Sequence, residues 1–593
     1  MSTNISKLKR ERLLSGLAEL RDFVASSPPS ELTGRLLGCL AEVERDISGR
    51  KYGVFFEEHR ENIDELLSRS VPLLCEETEL ALGSSGPLNF LIEGDNLAAL
   101  QLLLKTHRGS IGLIYIDPPY NTNNNDFIYD DSFVGAEDLF RHSKWMSFMD
   151  KRLRLARKLL RPDGSIFISI DNNEFAQLKL LADRIFGEGS FVTALHVEMS
   201  ITQGMKVRAA KQGNIVKNGE YILVYRLDGS KNIGHVPLTD PVRYDPHYCS
   251  FLLGDESPFT EVPLSAALEG EGEILGALRL LGLLDRRGSL PNKNLPAAYD
   301  KCDAFRSWVN AHAGRICRTH DAVSVSDEVS GNMVPGLVYS YSSDSRSYLL
   351  SKNESGGVYQ RIPLSDKLSV ADDYYGTYGP TKIRGDWWSG FYLDMGNIGK
   401  EGGVDFLNGK KPKRLIKQII KFALQREDDT VLDFFAGSGT TGQAVMELNA
   451  EDGGRRRFIL CTSNENGICR TVTWPRLRNV IEGEGRRARL KCFRVDYLPT
   501  AGRLYYEYAG ELLKHMRELV ELETGADCPG GEAAIVLDES QLCELLASPR
   551  LARCRRLYMH SDILLGADEA QRLSDSGVTL CPIPEYYYDE TEG

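Results

Sequence analysis

The sequence predicts an α/β fold in which a mostly parallel sheet is covered by helices on both faces. Short apolar runs alternate with helix-patterned segments from about residue 86 to 195, and the alternation resumes at 412. Between 196 and 395 it fades into short strand-like pieces and loops rich in Gly, Ser, Asp and Tyr, a composition that suits an inserted module. At 593 residues the chain is also too long for a single core.

Each element follows from its own pattern. ISKLKRERLLSGLAELRDFV places Leu13, Leu17 and Leu20 on one helical face until SSPPS (26–30) breaks it, and ENIDELLSR continues the helical pattern of residues 1–85. NFLIEG (89–94) is a short strand ending at Gly94 and Asp95, with NLAALQLLLK as the helix after it. IGLIYI (111–116) is a second strand. Trp145, Met149, Leu153, Ala156 and Leu160 recur at helical spacing, and RPDG (161–164) reads as a turn. SIFISI (165–170) is a third strand, followed by a helix carrying Phe175, Leu178, Leu181 and Ile185. The middle region contributes strand-like pieces such as EYILVYRL and the loops ADDYYGTYG (371–379) and RGDWWSG (384–390). Beyond it, PKRLIKQIIKFALQ is a helix, TVLDFF a strand, AGSGTTGQAVMEL a loop and helix, and RFILC a strand. From about 481 the chain has its own helix (RLYYEYAGELLKHMRELVEL) and strand (AAIVLD), and it ends in PEYYYDETEG.

Composition narrows the class. Apolar residues at 42% and charged residues at 26% describe a globular protein. No run is long enough to cross a bilayer, and MSTNISKLKRERLL lacks the apolar centre of a secretion signal. The 12 cysteines form no C-x-x-C pair and no cluster at zinc spacing, so reduced cytoplasmic thiols and no metal are expected. A net charge of −13 argues against indiscriminate coating of nucleic acid, although binding depends on where the cations lie. Three basic clusters stand out: Lys206, Arg208, Lys211 and Lys217; Lys410, Lys411, Lys413, Arg414 and Lys417; and Arg476, Arg478, Arg486, Arg487 and Arg489. Each reads as a solvated face, with phosphate contact as the alternative.

Two motifs carry chemistry. DFFAGSGTTG (433–442) follows a strand and opens a helix, so glycines allow close backbone approach where helix N-terminal amides favour a negative group. Residues 437–442 also fit G-x-G-x-x-G, but a dinucleotide site wants an acid at the end of the next strand, where Thr462 and Ser463 stand, with Glu465 slightly beyond. Asp433 offers a carboxylate for an ammonium group; the bland alternative is a strand–helix turn with no ligand. The second motif is the corner Asp117, Pro118, Pro119 and Tyr120. Two prolines hold a rigid bend with carbonyls as acceptors, and Asp117 adds a carboxylate at the carboxyl end of a strand. This acceptor-only pocket suits an exocyclic amino group, and stacking on Tyr120 is worth roughly 1–3 kcal/mol.

With both motifs present, the sequence resembles the amino-directed DNA methyltransferases that use S-adenosylmethionine. Their signatures, D/N/S-P-P-Y/F/W and F-x-G-x-G, correspond to Asp117-Pro118-Pro119-Tyr120 and to Phe435-Ala436-Gly437-Ser438-Gly439. The corner precedes the loop, as in the β subgroup. KYGVFFEEH (51–59), FLIEGDNLAALQLL (91–104), DPPYNTNNNDFIYDDSF, GMKVRAAKQGNIVKNGEYILVY (204–225), GNIGKEGGVDFLNGKKPKRLI (396–416) and FILCTSNEN are similar to modification subunits of type III restriction–modification systems. That family often has glycine where this chain has Asn123.

The resemblance implies a Rossmann-like methyltransferase sheet that transfers a methyl group to N6 of a flipped adenine in a short asymmetric site. Asp117, Pro118, Pro119 and Tyr120 would hold the adenine. Asp433, Phe434, Gly437, Gly439, Thr440 and Thr441 would line the methionine end of the cofactor, and Asp95 would touch its adenine unless it is a helix N-cap. The implied boundaries are 1–85 for an N-terminal helical region, 86–195 and 396–480 for the two parts of the catalytic domain, 196–395 for an inserted target-recognition domain, and 481–593 for a C-terminal α/β region. Lys206, Arg208 and Lys211 are candidate DNA contacts; Trp387 and Trp388 read as core, with stacking as the alternative. Implied partners are double-stranded DNA, a second copy of the chain and a separate restriction helicase–nuclease, although orphan enzymes share these motifs. Cytosine N4, an RNA or protein amide, and a non-catalytic DNA-recognition subunit remain the alternatives.

Overall fold

The structure is a computed structural model that describes residues 5–28, 30–48, 56–122, 141–234, 236–343, 346–406, 409–424, 426–500, 502–503, 505–525, 533–560 and 563–583. It contains two compact units, Met1–Phe56 and Glu57–Gly593. The first is a pair of helices, Ile5–Ala25 and Glu31–Ser48. Ser30 caps the second by accepting from the Thr33 amide at 3.1 Å, and Arg21 meets Glu44 at 3.2 Å.

The second unit is organised by a ten-stranded sheet. Its strands are β1 (Ser70–Glu76), β2 (Leu88–Glu93), β3 (Ile111–Ile116), β4 (Leu160–Ile170) and β5 (Phe191–Glu198). They continue as β6 (Gly219–Arg226), β7 (Trp387–Trp388), β8 (Thr430–Asp433), β9 (Arg457–Thr462) and β10 (Arg489–Pro499). The spatial order is β1-β10-β2-β9-β8-β3-β4-β6-β5-β7. The stretch from β10 to β4 is parallel, whereas β6 runs antiparallel to both β4 and β5. Leu113 and Tyr115 of β3 share one core with helices Lys413–Ala423 and Thr440–Asp452. The alternate residues Ile114 and Ile116, equally buried, point to the opposite face, where Asn96–His107, Arg141–Leu159 and Phe175–Phe186 form the second helical layer.

Several boundaries differ from expectation. The sheet takes 196–198, 219–226 and 387–388 out of the region expected to be the insert, because YILVY is apolar on both faces and fills a central strand. Likewise β1 and β10 draw residues from the two terminal regions into the sheet. RPDG is absorbed into the start of β4 rather than forming a free turn. The insert proper contains a closed barrel of strands Ser250–Leu253, Phe259–Pro263, Ile316–Ala322, Leu337–Ser343, Arg346–Lys352 and Val358–Pro363. Helices Gly272–Leu280, Leu295–Lys301 and Asp303–Ala311 give it a separate core around Phe305 and Ile316. At the C-terminal end Ala533–Val536, Arg556–Met559 and Thr579–Pro582 form a small parallel sheet with its own apolar cluster. The expected features at Asn123 and in PEYYYDETEG lie outside the described residues. Among those described, no helix is long and apolar enough to cross a membrane, and no His/Cys/Asp/Glu group could hold a metal ion.

Candidate active site

The strands β3 and β8 are parallel neighbours, with Leu113 opposite Val431 and Ile114 opposite Leu432. From β3 the chain goes on through helix Arg141–Leu159 to β4 on one side; from β8 it goes through Thr440–Asp452 to β9 on the other. The loops leaving two such strands diverge and open a crevice at the carboxyl rim, the usual ligand position in open α/β sheets. A cavity of about 300 Å3 sits there, lined from one side by Asp117, Pro118, Pro119 and Tyr120 and from the other by Asp433, Gly437, Thr440 and Thr441.

The corner is held from behind. Trp145, fully buried, donates its indole N–H to the Pro119 carbonyl at 2.7 Å. Tyr120 Oη lies 2.7 Å from Asp117 Oδ1 and 3.3 Å from Glu220 Oε2. Lys411 Nζ lies 2.7 Å from the same Glu220 oxygen, 3.3 Å from Asp117 Oδ1 and 4.7 Å from the centre of the Tyr120 ring. Among the described residues, Asp117 Oδ2 and the Pro118 carbonyl receive no hydrogen bond. Burial pushes the Asp117 carboxyl above the usual carboxylate range, with Lys411 and Tyr120 opposing. Burial would also raise Glu220, but the nearer Lys411 ammonium holds it below that range.

The glycine loop is built on Asp433. Its Oδ1 accepts from the Phe435 amide at 3.0 Å and its Oδ2 from Thr441 Oγ1 at 2.6 Å. Gly437 and Gly439 have φ of +48° and +77°, which bend the loop so that Gly439 caps helix Thr440–Asp452. A Cβ on Gly439 would stand 3.1 Å from Thr473 Cγ2. Behind the loop is Arg476, with no exposed side-chain surface. Its guanidinium donates to Ser438 Oγ at 3.0 Å, Thr440 Oγ1 at 2.7 Å and Gln443 Oε1 at 2.7 Å, and pairs with Glu401 at 3.0 Å. Asp433 has only neutral donors: no cation pairs with it among the described residues, and burial raises its carboxyl to about 7. A buried carboxylate in want of a positive charge, beside a glycine bend facing the cavity, fits the ammonium and chain of a methionine moiety.

Not every expected residue reaches the cavity. Phe434 is fully buried beneath it and gives its carbonyl to Asn96 Nδ2 at 3.1 Å; Phe435 lines the cavity instead. Asp95 is the N-cap of helix Asn96–His107, accepting from the Leu97 amide at 2.7 Å, and stands outside the cavity lining. Thr462 and Ser463 are also outside it. Trp388 is buried, as expected of a core residue, while Trp387 is 57% exposed and is not part of the core. The second basic cluster is no solvated face. Lys410 donates to the carbonyls of Gly399, Glu401 and Val404, Lys413 meets Glu447 at 2.6 Å, Arg414 meets Asp394 at 2.7 Å, and Lys417 pairs with Glu451. Of the first cluster, Lys217 meets Asp171 at 2.8 Å on the cavity wall, and Lys206 donates to the Lys217 carbonyl at 2.9 Å. Sequence reasoning missed the roles of Lys411, Glu220 and Arg476. The two cations stand in charge runs that do not single them out, and the single acid in EYILVYRL is the only signal for Glu220.

Comparison with known proteins gives four findings. The family model described as DNA methylase matches residues 111–262 and 344–472. The type III restriction–modification enzyme StyLTI Mod subunit of Salmonella typhimurium is 33% identical over 408 residues, covering 64% of this chain and 52% of that protein. The type II methyltransferase M.KpnI of Klebsiella pneumoniae is 33% identical over 380 residues, covering 63% of this chain and 79% of that protein. The probable type III HindVI Mod subunit of Haemophilus influenzae is 30% identical over 420 residues, covering 67% of this chain and 51% of that protein. The chain thus spans about half the length of the two Mod subunits.

Proposed function

We infer the function from one premise: this chain belongs to the DNA methylase family. It is an S-adenosylmethionine-dependent DNA methyltransferase that modifies N6 of adenine, acting as the modification subunit of a type III system. One observation carries the reading. The acceptor-only corner and the glycine loop face a single cavity from adjacent strands, with Asp117 Oδ2 and the Pro118 carbonyl open to a donor pair.

S-adenosylmethionine, when bound, supplies an electrophilic methyl group on a positively charged sulfur. Asp433 takes the ammonium group of the methionine moiety, and Gly437, Thr440 and Thr441 form the wall beside it. Asp117 Oδ2 and the Pro118 carbonyl each accept one amino proton of the target base, which localises the nitrogen lone pair toward the methyl group. Tyr120 fixes the plane of the ring. As the nitrogen took the methyl group, the sulfur–methyl bond would break to leave a neutral thioether, and the surplus proton on the nitrogen would pass to Asp117 Oδ2, the acceptor in contact with it. A base inside a duplex cannot enter a cavity of this kind, so the adenine is flipped out. The barrel-bearing insert reads the site, two copies of the chain act together, a separate restriction subunit joins them, and the assembly works on cytoplasmic DNA.

The test is incubation of the whole chain with methyl-labelled S-adenosylmethionine and a long natural DNA, followed by digestion to nucleosides. Label is expected in N6-methyladenine and absent with D117A. Label in N4-methylcytosine would move the target to cytosine; label only on RNA or protein, or none at all, overturns the reading.

A further inference from the structure

The corner residues do not stand alone at the cavity rim. Glu220 enters from β6, whose antiparallel run brings its first residues to the carboxyl edge, and Lys411 enters from the segment just before helix Lys413–Ala423. Both side chains are largely buried, at 23% and 11% exposure, and both line the cavity. We propose that Lys411 and Glu220 are positioning residues which, with Tyr120, form a quartet of one net negative charge that keeps Asp117 ionised and its Oδ2 turned to the target's amino group. The proposal rests on the functional reading above and extends it to two residues outside both signature motifs.

The argument is one of charge and direction. Asp117 and Glu220 contribute two negative charges and Lys411 one positive charge, within 3.3 Å of the ammonium. The remaining charged and titratable groups around them are committed elsewhere. Lys217 is paired with Asp171 at 2.8 Å, Tyr115 shares a hydrogen bond with Ser169 at 2.9 Å, and Asp433 is bound to its loop. No other cation among the described residues approaches the two carboxylates as closely. Without Lys411 the two acids would have to share a proton, as paired buried carboxyls do. Direction follows from the same contacts: Lys411 and Tyr120 both address Oδ1 of Asp117, which leaves Oδ2 for the base. An ammonium engaged by two carboxylates is also a poor phosphate contact, which argues against a DNA-backbone role for Lys411.

The test is the pH profile of methyl transfer for four proteins: wild type, K411M, E220Q and K411M/E220Q. Removing the cation raises the Asp117 pKa, so the acidic limb of K411M should move up by about one unit or more, roughly a tenfold loss at a pH on that limb. Removing the second acid should move the limb of E220Q down, and this nearly isosteric change stands by itself if K411M folds poorly. The double variant restores the net charge, so its limb should return toward wild type. A structural ion pair would instead leave every limb in place, and coincident limbs overturn the proposal. Failure of wild type to methylate anything would count against the function, and infrared spectroscopy then decides the inference. Asp433 already contributes a protonated carboxyl near neutral pH, so the spectra are read as differences from wild type: an additional protonated-carboxyl band should appear in K411M and vanish in D117N/K411M, and its absence from the K411M difference spectrum overturns the proposal.

Discussion

Burial without a cation gives Asp433 a carboxyl raised to about 7, and the sign of its effect on stability follows. Its folded-state pKa lies above the unfolded value near 3.9, so the folded protein holds the extra proton and loses stability as pH rises from about 4 through about 7. D433N removes that dependence. Its melting temperature should match wild type at low pH and exceed it above about 7, while S-adenosylmethionine binding, read by calorimetry, weakens for want of a charge partner. Arg476 makes a different demand. A guanidinium fork reaches Ser438, Thr440, Gln443 and Glu401 together, and an ammonium cannot reproduce that geometry. R476K should therefore lower cofactor affinity by about tenfold, ~1.4 kcal/mol, with a smaller change in the rate at saturating cofactor. R476M strands half-buried Glu401 and the loop hydroxyls and should cost ~1–3 kcal/mol in denaturant unfolding.

Helix Thr440–Asp452 has a glycine of positive φ at each end, Gly439 at +77° and Gly453 at +76°, and the two make a controlled pair. An alanine at either position bears the left-handed cost of ~1–2 kcal/mol. At Gly453 nothing lies within 4 Å of the added Cβ, so stability alone should fall. At Gly439 the Cβ also presses on Thr473, whose hydroxyl holds the Gly437 carbonyl at 2.6 Å, so G439A should disturb the loop and weaken cofactor binding as well. Comparing melting temperatures and cofactor affinities of the two variants separates the effects. Glycine spacing was legible because it is local: DFFAGSGTTG announces a strand, a bend and a helix start in ten residues. EYILVYRL was legible as a strand, but its place between β4 and β5 was not, since the hydrogen-bond partners of β6, 21 to 61 residues away, leave no mark on its own pattern.

Across the whole second unit, the insert leaves and rejoins the sheet through one small antiparallel sheet. The amide of Val242 donates to the Pro380 carbonyl at 2.9 Å, and Leu368 faces Pro380 from the other side. Two strand spacings separate residues 242 and 368, about 10 Å, which about four residues can span. Replacing residues 243–367 with such a glycine linker should leave S-adenosylmethionine binding intact, because the barrel has its own core, while site-selective DNA binding in competition gel shifts is lost. The sequence by itself determined the alternation of strands and helices and the two segments that bear chemistry, because each is written in contiguous residues whose backbone and side-chain needs are local. Only the tertiary structure decided that Phe434 lies beneath the cavity, that Asp95 spends its carboxylate on a helix cap, and that Glu220 and Lys411, 191 residues apart, meet at Asp117. Charge pairing of that kind depends on shared burial in a low dielectric, which exists only once distant segments have packed.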